Sequence, residues 1–277
     1  MGKKFLNTAI VGIGKIYEDG HEAIHKQGEC VAPIALVDWD EKRATAKMKD
    51  LKKKIEKAAK KGEEWAEVSM NQLKVYTDFD QMLKELEGTV ELIDNCTHGE
   101  YHVPLSLKAL EHNVNVMCEK PPALNWFQLF PLVEAEAKSK AKYQLNENVC
   151  YDKITQAARR AITSGQLGDI IKMEIQFGHG GPYWPYVVSK EGIPHFIDPL
   201  LSGGGCLQDL APHGISKAFW PVGEGAKVLK GSCDILERRD KNRKMSGKLV
   251  DCRVDDFAHG VFIALDPRTN KEFTMDI

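Results

Sequence analysis

The sequence predicts an α/β domain built on a doubly wound parallel sheet, followed by an α+β domain with an open, mostly antiparallel sheet. Two observations carry this prediction. Up to about residue 148, short apolar runs alternate with helix-forming segments, an order typical of parallel strands joined by right-handed crossovers. Beyond it, longer β-like runs follow one another with few helices between them, as in antiparallel sheets. We therefore divide the 277 residues into domains 1–148 and 149–277.

The elements of the first domain follow from their side chains. Residues 6–11 and 31–37 are almost wholly apolar, as expected for strands buried on both faces of a sheet. Residues 41–61 are rich in Ala, Lys and Glu and contain no Gly or Pro, which favours a helix. The predicted strands are 6–11, 31–37, 75–77, 90–96, 114–118 and 142–145, and the predicted helices are 15–28, 41–61, 79–86, 101–111 and 125–139.

In the second domain, a helix over 152–163 is predicted to end at Ser164-Gly165, because Gly commonly follows a helix C-terminus. One further helix follows the glycines at 203–205 and runs to about Trp220. It begins either after an N-cap at Asp209, with Pro212 in its first turn, or near Gly205, in which case Pro212 should kink it. The predicted strands are 170–177, 226–236, 248–252 and 257–265. The chain ends at Ile277 inside another β-like run. Two explanations are open: the second domain is naturally short, or it is truncated. Truncation predicts an unpaired sheet edge near the C-terminus.

Composition excludes several classes of protein. With 38 Lys and Arg against 40 Asp and Glu, the net charge of −2 argues against binding to nucleic acid or to an anionic membrane surface. No apolar run approaches the roughly 18 residues of a membrane span. The seven cysteines are widely spaced, form no Cys-x-x-Cys and follow no signal peptide, which predicts reduced thiols in a cytoplasmic protein.

A glycine-rich turn between the first strand and the first helix predicts a dinucleotide site. The segment reads Val11-Gly12-Ile13-Gly14-Lys15-Ile16-Tyr17. Gly12 permits a tight turn, Gly14 lets the backbone approach a pyrophosphate, and the helix that begins at Lys15 and Ile16 presents its N-terminus to the phosphates. Tyr17 replaces the third glycine of the usual pattern.

Asp38 predicts which dinucleotide binds. It ends the second strand, about 20 residues beyond the turn, where a carboxylate binds a ribose 2′-hydroxyl and repels a 2′-phosphate. We therefore expect NAD rather than NADP. The alternative is that Asp38 only caps the next helix. Trp39 either flanks the adenine or packs on the protein.

His21-Glu22-Ala23-Ile24-His25 matches the zinc motif H-E-x-x-H. It falls in the helix that directly follows the dinucleotide turn, and a metalloprotease helix does not easily share that element. We therefore predict no metal site.

Polar side chains follow two of the predicted strands, at the edge where open α/β sheets bind ligands. Thr97 and His102 follow strand 90–96, and Glu119-Lys120-Pro121 follows strand 114–118. In the second domain Asp209 and His213 are four residues apart, which places them on one helix face and permits a simple stabilising contact.

Together these motifs resemble the Gfo/Idh/MocA oxidoreductase family over about residues 6–266. The matching residues are Gly12-x-Gly14-x-Ile16, Asp38, Thr97-x4-His102, Glu119-Lys120-Pro121, Ser164-Gly165-x-x-Gly168 and Gly203-Gly-Gly-x3-Asp209-x3-His213. The sequence departs from the family at Tyr17 and at His98-Gly99, where Pro-Asn is usual. The resemblance implies a Rossmann domain, a C-terminal sheet that mediates homodimers or homotetramers, and a Lys120–Pro121 bond that can be cis.

The resemblance also implies roles for the site residues. Lys120 would be the catalytic acid/base with His213 as its partner, and Asp209 would orient the substrate or His213. Glu119 and His102 would line the nicotinamide end of the site. Hydride would pass between the cofactor and a secondary alcohol of a sugar, inositol or related polyol.

Two alternatives stay open: a non-enzymatic NAD-binding regulator, and a reductase of another carbonyl or imine. The aromatic loop 178–186 is expected to shape the pocket.

Overall fold

The computed structural model describes residues 5–27, 30–178, 195–239, 242–245 and 248–277. The chain divides into two compact units, Met1–Asn146 and Glu147–Ile277. Beyond Gly178, the aromatic loop 178–186 lies outside the described residues.

Six strands form the sheet of the first unit: β1 (Leu6–Val11), β2 (Val31–Val37), β3 (Lys74–Tyr76), β4 (Leu92–Asn95), β5 (Asn115–Glu119) and β6 (Tyr143–Asn146). Their order is β3-β2-β1-β4-β5-β6 and every pairing is parallel. The chain thus winds outward from β1 to one side and then to the other, which confirms the predicted doubly wound sheet.

Helices cover both faces of this sheet: α1 (Glu22–Gln27), α2 (Glu41–Ala59), α3 (Glu64–Gln72), α4 (Phe79–Glu85), α5 (Gly99–Glu111) and α6 (Trp126–Lys138). Side chains of β1 alternate between two cores, as the two-residue period of a strand requires. Ala9 and Val11 pack with α4, α5 and α6, while Ile10 packs with α2 and α3. The sheet is therefore buried on both faces, as its apolar strands predicted.

Two features of the helices differ from the prediction. The helix expected over 41–61 ends at Ala59, and α3 follows it as a separate helix. The sequence reasoning missed α3 because only a narrow face is apolar, on which Trp65 and Ala66 are buried. A π-helical turn, Tyr17–His21, precedes α1 and buries both of its end residues. A π turn closes one residue later than an α turn, which makes room for the bulky Tyr17.

The second unit contains a four-stranded sheet and a separate hairpin. Its strands are β7 (Lys172–Glu174), β8 (Lys227–Glu237), β9 (Asn242–Met245), β10 (Lys248–Asp251), β11 (Phe257–Asp266) and β12 (Lys271–Asp276). The sheet order is β7-β12-β11-β8, in which β11 is antiparallel to both neighbours and β7 is parallel to β12. This mixed, mostly antiparallel sheet confirms the predicted α+β class. Its helices are α7 (Lys153–Thr163), α8 (Pro199–Ser202), α9 (Cys206–Asp209) and α10 (Ala211–Val222).

Three details of this unit correct the prediction. The strand expected over 170–177 comprises only β7, and the strand expected over 248–252 pairs with β9 rather than with the main sheet. The helix expected to run to Trp220 begins neither near Gly205 as one piece nor after an N-cap at Asp209: α9 ends at Asp209, and α10 begins at Ala211 with Leu210 as its N-cap. Pro212 lies in the first turn of α10, where its missing N–H leaves no helical hydrogen bond unmade.

The C-terminal strand is not at the sheet edge. β12 lies between β7 and β11, so the unpaired edge expected there is wrong. Among the described residues, β8 pairs only with β11, and its exposed apolar side chains include Val228, Leu229 and Leu236. No helix within the described ranges is both long enough and apolar enough to cross a membrane.

Candidate active site

The glycine turn joins β1 to the helical segment at the carboxyl edge of the parallel sheet. Gly12 has a φ of +84°, and a Cβ there would lie 2.9 Å from both Cγ2 and the backbone nitrogen of Thr97. A Cβ on Gly14 would meet no atom within 4 Å. Gly12 is thus required by the packing of the turn on the segment after β4, whereas Gly14 leaves space open for a ligand. The side chain of Lys15 pairs with Asp19, and Ile16 is exposed.

Asp38 is bound into the turn. Its buried carboxylate accepts hydrogen bonds from the backbone N–H of Ile13 at 2.7 Å and of Asp40 at 2.9 Å. Asp40, not Asp38, caps α2 by accepting from the Arg43 N–H. The alternative helix-capping role of Asp38 is therefore not what the structure shows. The carboxylate instead places a negative charge directly under the dinucleotide turn.

Two residues beside Asp38 complete this corner. Trp39 is 82% exposed, so it does not pack in the core. The Arg43 guanidinium lies 5.6 Å from the centre of the Trp39 ring and 3.7 Å from Asp38. Sequence reasoning missed Arg43. Its position in the first turn of α2 places its side chain near Asp38, which follows β2. An aromatic face and a guanidinium here offer a surface on which an adenine could stack.

His102 links the segments that follow β4 and β5. Nδ1 of its buried ring lies 2.7 Å from the carbonyl oxygen of Pro121, and Nε2 lies 3.0 Å from that of Thr97. Burial outweighs the two carbonyl contacts and lowers the pKa of His102. The Lys120–Pro121 bond is cis, in agreement with the resemblance. His102 therefore fixes the loop that carries Lys120, while its direct contact with a cofactor stays a prediction.

Glu119, at the end of β5, is held by two donors. Its Oε1 lies 2.8 Å from Nε2 of His21 and accepts a hydrogen bond from Asn146 at 2.7 Å. On the far side of the same ring, Nδ1 of His21 lies 2.9 Å from both oxygens of Asp94. Sequence reasoning had set His21 aside with the zinc-like motif. A charged residue inside the apolar strand that contains Asp94 was the signal that could have identified this cluster.

The zinc-like motif does not assemble as in a metalloprotease. His21 and His25 are both buried, with Nε2 of His25 3.5 Å from Asp94. Glu22, the motif's general base, instead forms ion pairs with Lys26 and Lys47. His21, Asp94 and Cys96 offer ligand atoms within 4.8 Å of one another, but both His21 nitrogens already face carboxylates.

In the second unit, His213 is paired with a carboxylate that the sequence analysis missed. Nδ1 of His213 lies 2.6 Å from Oε1 of Glu147, which is 5% exposed. The His213 ring also lies 5.0 Å from that of Phe177. Asp209 ends α9 and His213 belongs to α10, so the two do not share one continuous helix. Glu147 directly follows β6, as Glu119 ends β5, while the orienting role that the resemblance implies for Asp209 stays a prediction.

Comparison with known proteins agrees with this architecture. Residues 6–147 match the model of an oxidoreductase family with an NAD-binding Rossmann fold, and residues 155–263 match the GFO/IDH/MocA C-terminal domain. The chain belongs to the Gfo/Idh/MocA family. Its first unit is accordingly an NAD-binding Rossmann domain.

Several curated proteins are similar in sequence to the chain. The uncharacterized oxidoreductase YhhX of Escherichia coli is 33% identical over 139 residues, which are 46% of this chain and 38% of YhhX. The D-glucoside 3-dehydrogenase of E. coli is 25% identical over 222 residues, 79% of this chain and 54% of the relative. The chain thus spans about half the length of the curated relatives it matches.

Solved structures share the fold. An inositol dehydrogenase homolog from Azotobacter vinelandii, solved with NAD⁺, superposes with a TM-score of 0.71 at 17% identity. The match covers 99% of this chain and 64% of that protein.

Replacement of each turn glycine by Ala is expected to change a different property of the protein. Gly12→Ala is expected to lower the free energy of unfolding by about 2 kcal/mol or more, because the left-handed backbone and the contact with Thr97 both exclude a Cβ. Gly14→Ala should fold normally and lose affinity for NADH, since its Cβ would occupy space that the pyrophosphate needs. Thermal unfolding and NADH fluorescence titration distinguish the two effects. If Gly14→Ala binds NADH with the affinity of the wild type, the pyrophosphate does not bind at this turn.

Proposed function

We propose that the chain is a nicotinamide-dependent dehydrogenase that transfers hydride between NAD and a secondary alcohol, or the corresponding ketone, of a sugar, inositol or related polyol. One observation carries the proposal: Lys120 lies on a loop fixed by His102 and Glu119 at the carboxyl edge of a Rossmann sheet. That edge is where open α/β sheets bind their ligands. The names of the D-glucoside and inositol relatives support this class of substrate.

NAD is preferred over NADP in this proposal. The Asp38 carboxylate carries a negative charge where a 2′-phosphate would approach. Arg43, 3.7 Å away, offsets part of that charge. We therefore expect NAD to be the better cofactor without NADP being excluded.

The chain's own residues supply binding and proton transfer. The turn at Gly12–Ile16 offers open backbone at Gly14 for the pyrophosphate. When bound, the nicotinamide accepts or returns the hydride. Lys120 removes the hydroxyl proton. His213, whose Nδ1 lies 2.6 Å from Glu147, is the partner that the family resemblance implies. A cytoplasmic location and a homodimeric or homotetrameric assembly stay predictions from the sequence.

A substrate screen tests the proposal. The protein is mixed with NAD and a panel of polyols and sugars, and separately with NADH and ketones or imines, while absorbance of the reduced cofactor is followed. Oxidation of a polyol supports the proposed dehydrogenase, and activity confined to imines supports the alternative reductase. Tight NADH binding without turnover on any panel member would support a regulatory protein instead.

Glu147→Gln is expected to lower kcat about tenfold to a hundredfold, because a neutral amide replaces the carboxylate that lies 2.6 Å from Nδ1 of His213. The KM for NAD should change less than kcat, since the substitution alters the partner of His213 and leaves the turn at Gly12–Ile16 and Asp38 intact. Asp209→Asn is the matched comparison: if Asp209 binds substrate, this variant raises the substrate KM instead. Steady-state kinetics with saturating cofactor measures both. An unchanged kcat in Glu147→Gln would exclude this role for the pair.

A further inference from the structure

A buried ionic triad lies under the carboxyl edge of the parallel sheet. The His21 ring, with a side chain only 3% exposed, lies between Asp94 on Nδ1 and Glu119 on Nε2. Two carboxylates on opposite sides of one imidazole are both satisfied only when each nitrogen carries a proton. These two carboxylate contacts favour the imidazolium form of His21 and raise its pKa to about 10.

The groups around the triad leave the positive charge on His21. His25 and Cys96 approach Asp94 at 3.5 Å and 3.6 Å, and the Tyr17 ring lies 5.7 Å from that of His25. Burial lowers the pKa of His25 and raises the pKa values of Cys96 and Tyr17, so near pH 7 all three are neutral. Among these neighbours, His21 is the group that offsets the two carboxylates.

Stability alone does not account for such a triad. Removing two carboxylates and an imidazolium from water costs about as much as their attraction returns, and well-packed apolar groups would often stabilise the fold as well or better. One member of the triad, Glu119, does, however, lie at a predicted functional position. Glu119 immediately precedes Lys120, and Asn146 donates to the same oxygen that faces His21. The arrangement thus holds the last residue of β5 in one orientation.

We propose that His21 is a positioning residue that acts on cofactor binding and turnover through Glu119, whose carboxylate it holds in one orientation next to Lys120. This inference rests on the proposed function, in which Glu119 lines the nicotinamide end of the site. Glutamine cannot replace the ring, because its side chain offers donors on one side only. The effect of His21 must therefore disappear when Glu119 is no longer charged.

A double-mutant cycle tests this dependence. His21→Gln and Glu119→Gln are each expected to weaken NADH binding about tenfold, and the double variant should bind no more than about twofold more weakly than Glu119→Gln alone. NADH fluorescence titration and kcat/KM for the cofactor provide the two readouts. Independent, multiplicative losses that make the double variant about a hundredfold weaker would overturn the proposal.

His25→Gln is the matched control on the same helical segment. His25 is buried against the same Asp94, but none of the hydrogen bonds among the described residues joins it to Glu119. Any effect of His25→Gln on NADH binding should therefore be the same with and without the Glu119→Gln substitution. If His25 couples to Glu119 as strongly as His21 does, the coupling reflects general packing and the proposal fails.

A second measurement needs no variant of His21. In Lys120→Met protein, which removes the titration of that lysine, NADH affinity should fall as pH rises toward 10, and adding Glu119→Gln should abolish the fall. A fall that persists in the protein carrying both Lys120→Met and Glu119→Gln contradicts the inference. Absence of NADH binding by the wild type at any pH would instead refute the proposed function.

Discussion

Lys120→Met is expected to lower turnover about a thousandfold, within the range that general acid–base groups contribute, while NADH still binds. Methionine keeps an unbranched side chain of similar length but cannot accept or return the hydroxyl proton. The turn at Gly12–Ile16 and Asp38 are separate from this side chain, so the affinity for NADH should change less than about threefold. Steady-state rates with the substrate found in the screen, together with NADH titration, measure the two quantities.

Lys108→Met is the control for this experiment. Lys108, on α5, forms an exposed ion pair with Asp80, and such pairs contribute little to stability. Its replacement should leave turnover and NADH binding unchanged. Normal turnover by Lys120→Met would show that the proton is transferred by another group, and His213 would then be the residue to examine.

The stability of the first unit is expected to fall in alkali because of His21. Burial lowers the pKa of His21, but hydrogen bonds to Asp94 and Glu119 outweigh it and raise the pKa to about 10. The unfolded chain has a pKa near 6.5, so between these values the folded state binds a proton that the unfolded state does not. The stabilisation is complete below pH 6.5 and is lost as pH rises through 10.

The size of this effect follows from the shift. The advantage of the wild type over His21→Gln in free energy of unfolding should fall by about 3.5 kcal/mol between pH 7 and pH 10. Urea unfolding of both proteins at each pH measures it. Taking the difference between the two proteins removes the contribution of other groups that titrate in alkali.

His25→Gln should show the opposite pH dependence. Burial lowers the pKa of His25, so in acid the unfolded chain takes up a proton that the folded chain does not. The wild type should therefore lose stability relative to His25→Gln below about pH 6.5, and not above it. An alkaline loss of the same size in both comparisons would show that His21 is not the titrating group.

Local patterns in the sequence were sufficient for the architecture of the first unit. Buried parallel strands must be apolar on both faces, so β1 and β2 were predicted to the residue. The helix α3 was missed because its buried face is narrow. In the second unit, β7 is only three residues long and depends on pairing with β12, a partner about 100 residues away that no local pattern identifies.

The residues of the candidate site also fall into two groups: those that local sequence indicates and those that depend on distant contacts. Gly12, Gly14, Asp38, Glu119 and Lys120 could be predicted because backbone geometry and strand ends restrict the residue types there. His21 and Glu147 could not be assigned, because each acts on a side chain far along the chain: Glu119 is 98 residues from His21, and His213 is 66 residues from Glu147.

The sequence by itself therefore determined the fold class, the dinucleotide turn and the acid/base candidates, since each depends on residue type within a short segment. Only the tertiary structure decided which charges meet. A histidine in an H-E-x-x-H pattern is compatible with a metal site or with an ion pair until the strands that carry Asp94 and Glu119 are brought beside it. The energy of a charged group depends on its burial and on the charges within a few ångströms, and the fold sets both.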